Sequence, residues 1–158
     1  GRWGGVYILP KGRGVSINCY TDASCHPNQS GNVSAVACVV VVNGSKKILS
    51  VSGRAIGDFN SSTAELIAIC FGLDETAKIC QDLELPLDLV RICSDCESAL
   101  DLCVGESEPS SAEVEKILES IRKLSLRFRI VEFQWVRGHA NNKFNELADS
   151  VAYQIAQG

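Results

Sequence analysis

The chain has 158 residues, of which 46% are hydrophobic and 22% charged, with a formal net charge of −4 and a pI of about 5.2. This length suits one domain with a sizeable core and is too short for two comfortable ones. No apolar stretch approaches the roughly 20 residues that a membrane-spanning helix needs, and the acidic balance is unlike that of proteins that bind nucleic acid tightly on their own.

The first 14 residues are rich in glycine and basic residues, begin without methionine and lack the cleavage pattern of a signal peptide. We interpret residues 1–14 as a linker or an expression remnant, and residues 15–158 as a single domain. Because the sequence contains no methionine at all, we expect the chain to be a piece of a longer protein.

Three strands are predicted next in the chain. In Val15–Asp22, apolar and polar residues alternate and strand-forming residues are frequent, so Asp22 is expected to end the first strand. The segments SAVACVVVV and KKILSVSGR predict two more strands, and Asn43-Gly44 between them is a strong hairpin signal. The first three strands are therefore expected to form an antiparallel meander.

Helices and strands alternate after the meander. Ser62–Ile79 is apolar nearly all round, which predicts a buried helix. LDLVRICS predicts a short strand, followed by a helix from about Asp95. Pro109 and the pair Ser110-x-x-Glu113 mark the start of another helix, and its apolar stripe comprises Val114, Ile117, Leu118, Ile121 and Leu124.

A fifth strand and a last helix complete the domain. FRIVEFQWV predicts the strand, and the helix is marked by the spacing of Phe144, Leu147, Val151 and Ile155. The resulting order βββαβααβα indicates a mixed α/β domain with a five-stranded sheet flanked by helices.

The eight cysteines do not form the pattern of a secreted disulfide framework. Cys38 and Cys70 lie in apolar segments, where a small hydrophobic residue fits. Cys93 and Cys96 could form a redox pair, but Asp95 between them is expected to raise the thiol pKa and lower reactivity. With two histidines in the chain, a zinc site is also disfavoured. Reduced cysteines favour an intracellular protein, cytoplasmic or nuclear, rather than a secreted one.

Four acidic residues lie where strands and helices can bring them together. Asp22 and Asp95 end the first and fourth strands, whereas Glu65 and Asp149 lie in the buried helix and the last helix. If the two strands are neighbours, all four carboxylates can share one site, where they repel each other unless cations neutralise them. Oxygen ligands without His or Cys select magnesium or manganese. Two such ions about 4 Å apart suit in-line displacement at phosphorus.

Each acid also has a simpler interpretation. Ser62-x-x-Glu65 fits a capping box, and Asp95 fits the N-cap of the helix that follows it. Asp22 fits a turn after a strand, and Asp149 a solvated helix position. The presence of all four acids at strand and helix positions that can converge favours a shared site.

Four segments in order resemble the motifs of the type 1 ribonuclease H family: TDASCHPN, STAELIA, ICSDCESAL and VRGHANNKFNELADSVA. The resemblance covers about Val15–Ala156, and the family's fold has this same order of strands and helices. It implies an endoribonuclease that hydrolyses the RNA strand of RNA–DNA hybrids with two Mg²⁺ ions, for which Mn²⁺ can substitute. The implied metal ligands are Asp22, Glu65, Asp95 and Asp149.

The resemblance also implies individual roles. Asp22 would bridge both ions, Asp149 would complete the first ion's site, and Glu65 and Asp95 would hold the second ion. His139 would assist proton transfer or the departure of product and metal, since imidazole titrates near neutral pH. The positions matching contacts to the RNA 2′-hydroxyls are Ser24, Cys25, Asn28, Ser61 and Ser62, although surface turns and helix caps use the same residue types.

The chain departs from the family pattern at three places. Ala23 replaces the usual glycine, and Glu97 brings a negative charge two residues after Asp95. VGESEPSS stands where many members carry a basic protrusion that holds substrate. Members without this protrusion often belong to reverse transcriptases, so the resemblance implies a retroelement or viral domain with a linked or associated polymerase domain as partner.

The sequence leaves two alternatives open. One is another nuclease of the same superfamily, such as an exonuclease, which is disfavoured because proofreading members resemble Asp-x-Glu at the first motif, where this chain has Asp22-Ala23-Ser24. The other is a catalytically weak or inactive module that binds nucleic acid or protein. Loss of the acids is its usual mark, and all four acids are present.

Overall fold

The computed structural model describes residues 15–28, 31–138 and 141–158. Within these residues a five-stranded mixed sheet has the spatial order β3-β2-β1-β4-β5. The strands are β1 (Ser16–Asn28), β2 (Gly31–Val42), β3 (Ile48–Gly57), β4 (Leu89–Ser94) and β5 (Ile130–Trp135). The helices are α1 (Ser61–Asp82), α2 (Glu97–Val104), α3 (Ala112–Ser125) and α4 (Lys143–Gln157). This is the predicted order βββαβααβα, in an α/β fold.

The first three strands form the predicted antiparallel meander. β2 lies in its centre and is buried from Ala35 to Val41, as its unbroken apolar sequence requires for a strand covered on both faces. The connection from β2 to β3 is longer than a two-residue hairpin. Gly44 has a φ of +93° and Lys46 a φ of +58°, so the chain turns through left-handed conformations at two positions there.

The prediction that Asp22 ends the first strand is wrong. β1 continues to Asn28, because its antiparallel ladder with β2 runs on to the pair Asn28 and Gly31. The parallel ladder between β1 and β4, in contrast, stops at Tyr20 and Cys93. Asp22 therefore lies inside β1, just past the point where this strand parts from β4.

The sheet has helices on both faces. On one face, α1, α2 and α3 share the larger core cluster with β1, β2 and β4. The buried α1 residues in that cluster include Leu66, Ile69 and Leu73. On the opposite face Phe144 of α4 packs with Val39 of β2 in a second, smaller cluster. The sheet is therefore the middle layer of the domain.

Helix α1 approaches the sheet closely at Gly72. A Cβ at this position would lie 2.6 Å from Cγ2 of Thr21 and 2.8 Å from Sγ of Cys19, both on β1. Since real Cβ contacts are not that short, the absence of a side chain at Gly72 is what lets the helix lie against β1.

Two helix starts differ from the predictions because other side chains cap them. The N-cap of α1 is Asn60, whose side chain accepts from the backbone N–H of Thr63, so the capping box from Ser62 to Glu65 is wrong. α3 is capped by Ser111 rather than Ser110, through a hydrogen bond from the N–H of Val114. In both cases the capping residue is the one whose extended backbone directs its side chain at the first turn.

The apolar faces of α3 and α4 differ in how well they were predicted. On α3, Val114, Leu118 and Ile121 are buried, and Ile117 and Leu124 pack beside them, as predicted. On α4 the buried stripe consists instead of Phe144, Asn145, Ala148, Ala152 and Ala156. The small alanines face the sheet because α4 lies close to it, which leaves the larger Leu147, Val151 and Ile155 half-buried at the sides.

All eight cysteines are free, in agreement with the prediction of reduced thiols. The pKa of the Cys93 thiol is raised to about 12, chiefly by burial, while Arg91 lowers it and Glu132 raises it. The direction agrees with the expectation, but the cause is burial rather than the neighbouring Asp95. Among the described residues, none of the helices is both long and apolar enough to span a membrane.

Candidate active site

The strand register brings Asp22 and Asp95 to the same level of the sheet. The parallel ladder between β1 and β4 ends at the pair Tyr20 and Cys93, and each Asp lies two residues beyond its paired residue. β4 ends at Ser94, so Asp95 is the first residue after the strand. The two carboxylates therefore stand where the two strands separate.

Helices α1 and α4 supply the other two acids. Glu65 lies in the second turn of α1, whose start is fixed by the Asn60 cap. Carboxylate oxygens of Asp22, Glu65 and Asp95 lie within 4.8 Å of one another. Asp149 lies on α4, which packs along β1, and its side chain is near enough to Asp22 to raise the pKa of that carboxyl group. The structure thus brings together the four acids that the sequence singled out.

The simpler interpretations of these acids do not match the local structure. Asp22 lies within a continuous strand rather than in a turn. The N-cap of α2 is Cys96, not Asp95, and it makes no side-chain capping hydrogen bond. Asp149 is half-buried beside Asp22 rather than solvated on an open helix face.

Burial and mutual repulsion dominate the electrostatics of the cluster. The pKa of Asp22 is raised to about 10, first by burial, then by the charge of Glu65 and by its contacts with Asp149 and Asp95. Burial also raises the pKa of Glu65, with smaller contributions from Cys96 and Asp95, although hydrogen bonds from Asp22 and the backbone of Ala23 oppose the shift. Without a cation, these acids therefore resist ionising together.

The donor set fits a hard divalent cation. Glu65 has a buried oxygen, Oε1, that accepts no hydrogen bond within the described structure. A buried acceptor without a partner is costly, and a cation would satisfy it. Two oxygens that ligate one Mg²⁺ or Ca²⁺ at about 2.0–2.6 Å lie at most roughly 5 Å apart, which the observed spacing allows. An all-oxygen set selects such ions over zinc.

The predicted substrate contacts fall into different surroundings. Ser24 and Cys25 are half-buried on β1, and Ser61 and Ser62 are exposed in the first turn of α1. The Cys25 thiol already donates to the carbonyl of Phe59, at 3.4 Å, and lies 3.3 Å from Oγ of Ser34. His139 and the side chain of Asn28 lie outside the described residues.

Sequence reasoning missed two residues that contact Asp95. The indole N–H of Trp135, at the end of β5, donates to the Asp95 carbonyl at 3.2 Å. Gly138 lies so close that a Cβ there would come within 2.9 Å of Oδ2 of Asp95. The signal in the sequence was the Gly in VRGH, but nothing in its spacing indicates which side chain it faces.

Comparisons with known proteins agree with this fold. A family model described as RNase H matches residues 15–157. A curated ribonuclease H from Desulforamulus reducens is 29% identical over 148 residues, which cover 89% of this chain and 87% of that protein. The RNase H1 of the halophilic archaeon Halobacterium salinarum superimposes with a TM-score of 0.74 at 21% identity, over 90% of this chain and 98% of that one.

Two further solved structures share the fold. LC11-RNase H1 in complex with an RNA/DNA hybrid has a TM-score of 0.69 at 17% identity, over 87% of this chain and 97% of that one. The protease-reverse transcriptase of prototype foamy virus has a TM-score of 0.70 at 17% identity, over 97% of this chain but 22% of that one. On the family match, the chain belongs to the ribonuclease H family, whose members are nucleases.

Proposed function

We propose that this chain is a Mg²⁺-dependent endoribonuclease that hydrolyses the RNA strand of RNA–DNA hybrids. The observation that carries the proposal is the convergence of carboxylate oxygens of Asp22, Glu65 and Asp95 within 4.8 Å, with Asp149 near enough to raise the pKa of Asp22. An inactive binding module has no need for a buried cluster in which neighbouring acids raise the pKa of Asp22, because such a carboxyl group lowers the stability of the fold at neutral pH.

In the proposed reaction, a water oxygen forms a bond to phosphorus while the bond from phosphorus to the leaving ribose oxygen breaks. The leaving oxygen takes up a proton, and the attacking water gives one up. Two Mg²⁺ ions would supply activation of the water and charge stabilisation at the leaving oxygen. Asp22 would bridge the ions, Asp149 would hold the first, and Glu65 and Asp95 would hold the second.

Polar residues around the acidic cluster would select the substrate and assist the reaction. Ser24, Ser61 and Ser62 can hydrogen-bond to 2′-hydroxyls, which distinguish RNA from DNA. We propose a weaker role for Cys25, since its thiol is already engaged with Ser34 and Phe59. We also propose that Asn28 contacts the substrate and that His139 assists proton transfer. The hybrid complex of LC11-RNase H1 supports a hybrid as substrate.

We further propose that the domain belongs to a retroelement or viral reverse transcriptase. The connection between α2 and α3 spans residues 105–111 and contains two glutamates and no basic residue. It therefore has no positively charged side chain to bind the phosphates of a nucleic acid. The fold match to part of the foamy virus protease-reverse transcriptase supports the assignment. Inside the cell, a linked or associated polymerase domain would then bind the hybrid for this domain.

A test of the function compares RNA–DNA, RNA–RNA and DNA–DNA duplexes as substrates of the purified chain across a Mg²⁺ titration. We expect internal cleavage of the RNA strand of the hybrid, dependent on Mg²⁺ or Mn²⁺, and loss of that cleavage in Asp95→Asn. Hybrid left intact at every metal concentration, even with a polymerase domain supplied, would favour the non-catalytic alternative.

A further inference from the structure

The residues at the end of β5 and just after it form hydrogen bonds to the end of β4 and to Asp95. The N–H of Val136 donates to the carbonyl of Ser94 at 2.9 Å, and the indole N–H of Trp135 donates to the carbonyl of Asp95 at 3.2 Å. These two hydrogen bonds hold consecutive residues at the end of β4. We name residues 135–138 the β5 exit.

Gly138 lies close to the side chain of Asp95. A Cβ at this position would lie 2.9 Å from Oδ2 of Asp95 and 3.5 Å from its Cβ and Cγ. Its φ lies outside the left-handed range in which glycine is favoured, so the backbone itself would accept alanine. A side chain at this position would therefore displace the Asp95 carboxylate oxygen rather than strain the backbone.

Helix α2 begins just after Asp95, with Cys96 as its N-cap residue. The N–H of Cys96 donates to Oγ of Ser94, the last residue of β4, at 3.1 Å. The β5 exit thus contacts both ends of Asp95, the carbonyl through Trp135 and the carboxylate through Gly138.

We propose that Trp135 and Gly138 are positioning residues for the Asp95 carboxylate, and that they set the affinity of the site for its divalent cation. This inference rests on the proposed function of the acidic cluster. Trp135 fixes the backbone from which the carboxylate projects, and Gly138 leaves the clearance in which Oδ2 can turn toward a cation. Groups that orient a metal ligand typically change metal affinity by about 10- to 100-fold when they are removed.

The test measures Mn²⁺ binding without substrate, by calorimetry and by the fluorescence of Trp135. The chain has two tryptophans, Trp3 and Trp135, so Trp3→Phe leaves the indole beside Asp95 as the single reporter. We expect Mn²⁺ to quench this emission, and Asp95→Asn to weaken the quenching.

Two variants then separate clearance from hydrogen bonding. In Gly138→Ala, we expect Mn²⁺ affinity to fall about 10- to 100-fold, with a higher Mg²⁺ concentration needed for half-maximal cleavage. Replacing Trp135 by benzothienylalanine keeps the ring shape but removes the N–H donor, and we expect a fall of about 10-fold, measured by calorimetry. Thermal unfolding in EDTA verifies that each variant folds.

The outcomes are distinguishable. Wild-type Mn²⁺ affinity in both folded variants would overturn the positioning role while leaving the proposed function intact. If Gly138→Ala fails to fold, the benzothienylalanine variant alone decides, and unchanged affinity there refutes the role of Trp135. A wild-type chain that neither binds Mn²⁺ nor cleaves hybrid would overturn the proposed function and this inference together.

Discussion

At the scale of single residues, the chemistry of the site is concentrated in Asp22. Its side chain is 4% exposed and lies among three other acids, which together with burial raise its pKa to about 10. A carboxyl group of this kind is stable in the folded chain when protonated or when bound to a cation. Stability in the absence of metal should therefore depend on pH.

The first prediction concerns Asp22→Asn. The raised pKa means that the contribution of Asp22 to stability is fully present below its unfolded pKa, near 4, and is lost as pH rises toward 10. In EDTA the variant should match the wild type near pH 4 and become increasingly more stable than it up to pH 8, because each pH unit between the unfolded and the folded pKa costs the wild type up to about 1.4 kcal/mol. Urea unfolding at pH 4, 6 and 8 measures the difference.

The same variant should have no hydrolytic activity in Mg²⁺. Glu119→Gln, an exposed position on α3, is the matched control and should change neither activity nor the pH dependence of stability. Normal hydrolysis by Asp22→Asn would refute the assignment of the site, and a stability difference independent of pH would refute its electrostatic cause.

A second prediction concerns His139, which lies outside the described residues. We expect His139→Ala to slow turnover by roughly 100-fold or more, the usual contribution of one acid–base group, and to retain measurable activity. Single-turnover cleavage of the hybrid gives the rate. Complete inactivity, equal to that of Asp22→Asn, would mean that His139 is a metal ligand, and an unchanged rate would mean that it is an ordinary loop residue.

At the scale of elements, the position of Glu65 depends on where α1 begins. Asn60 caps the helix by accepting from the N–H of Thr63 at 2.9 Å, which places Glu65 in the second turn. Gly72 then lets the same helix lie against β1 at Thr21 and Cys19. The cap fixes where Glu65 lies along the helix. The close approach at Gly72 fixes how near the helix, and Glu65 with it, lies to the sheet.

The third prediction separates the observed cap from the one that the sequence suggested. Asn60→Ala should lower the free energy of unfolding by about 1 kcal/mol, the usual cost of losing an N-cap. Ser62→Ala is the matched control and should stay within about 0.5 kcal/mol of wild type, as surface substitutions usually do. Urea unfolding in EDTA measures the free energy of unfolding of both variants. A larger loss for Ser62→Ala than for Asn60→Ala would mean that Ser62 and Glu65 form the capping box after all.

At the scale of the whole molecule, the charges oppose tight binding of nucleic acid. The net charge is −4, and the connection between α2 and α3 carries two glutamates, at positions 106 and 108. Two of the basic residues available to form a groove already face acids: Arg127 lies 3.9 Å from Asp74, and Arg129 pairs with Asp88. Counterion release by these side chains is therefore reduced.

The fourth prediction is that the chain alone binds hybrid weakly. With Asp95→Asn to prevent cutting, we expect a dissociation constant of about 1–100 μM at physiological salt, the range of non-specific binding. Adding Glu106→Lys and Glu108→Lys should tighten binding and steepen its salt dependence, because the new bases would contact phosphates. Fluorescence anisotropy measures both quantities, and nanomolar affinity without added bases would contradict the prediction.

The element order and the identity of the clustered acids could be predicted from the sequence. Period-two alternation in β1, the apolar run of β2 and the stripe on α3 are local patterns, and local patterns determine local structure. The boundaries were less predictable. β1 extends past Asp22 because β2 offers partners as far as Gly31, and a strand partner is not a property of the strand's own sequence.

The sequence by itself determined that four carboxylates occur at positions that can converge, since residue type and order along the chain are local facts. The tertiary structure alone decided that β1 parts from β4 just before Asp22, that α4 brings Asp149 near it, and that Trp135 and Gly138 lie against Asp95. Each of these depends on strand register or on packing between elements far apart in the chain, and neither is encoded in any single segment.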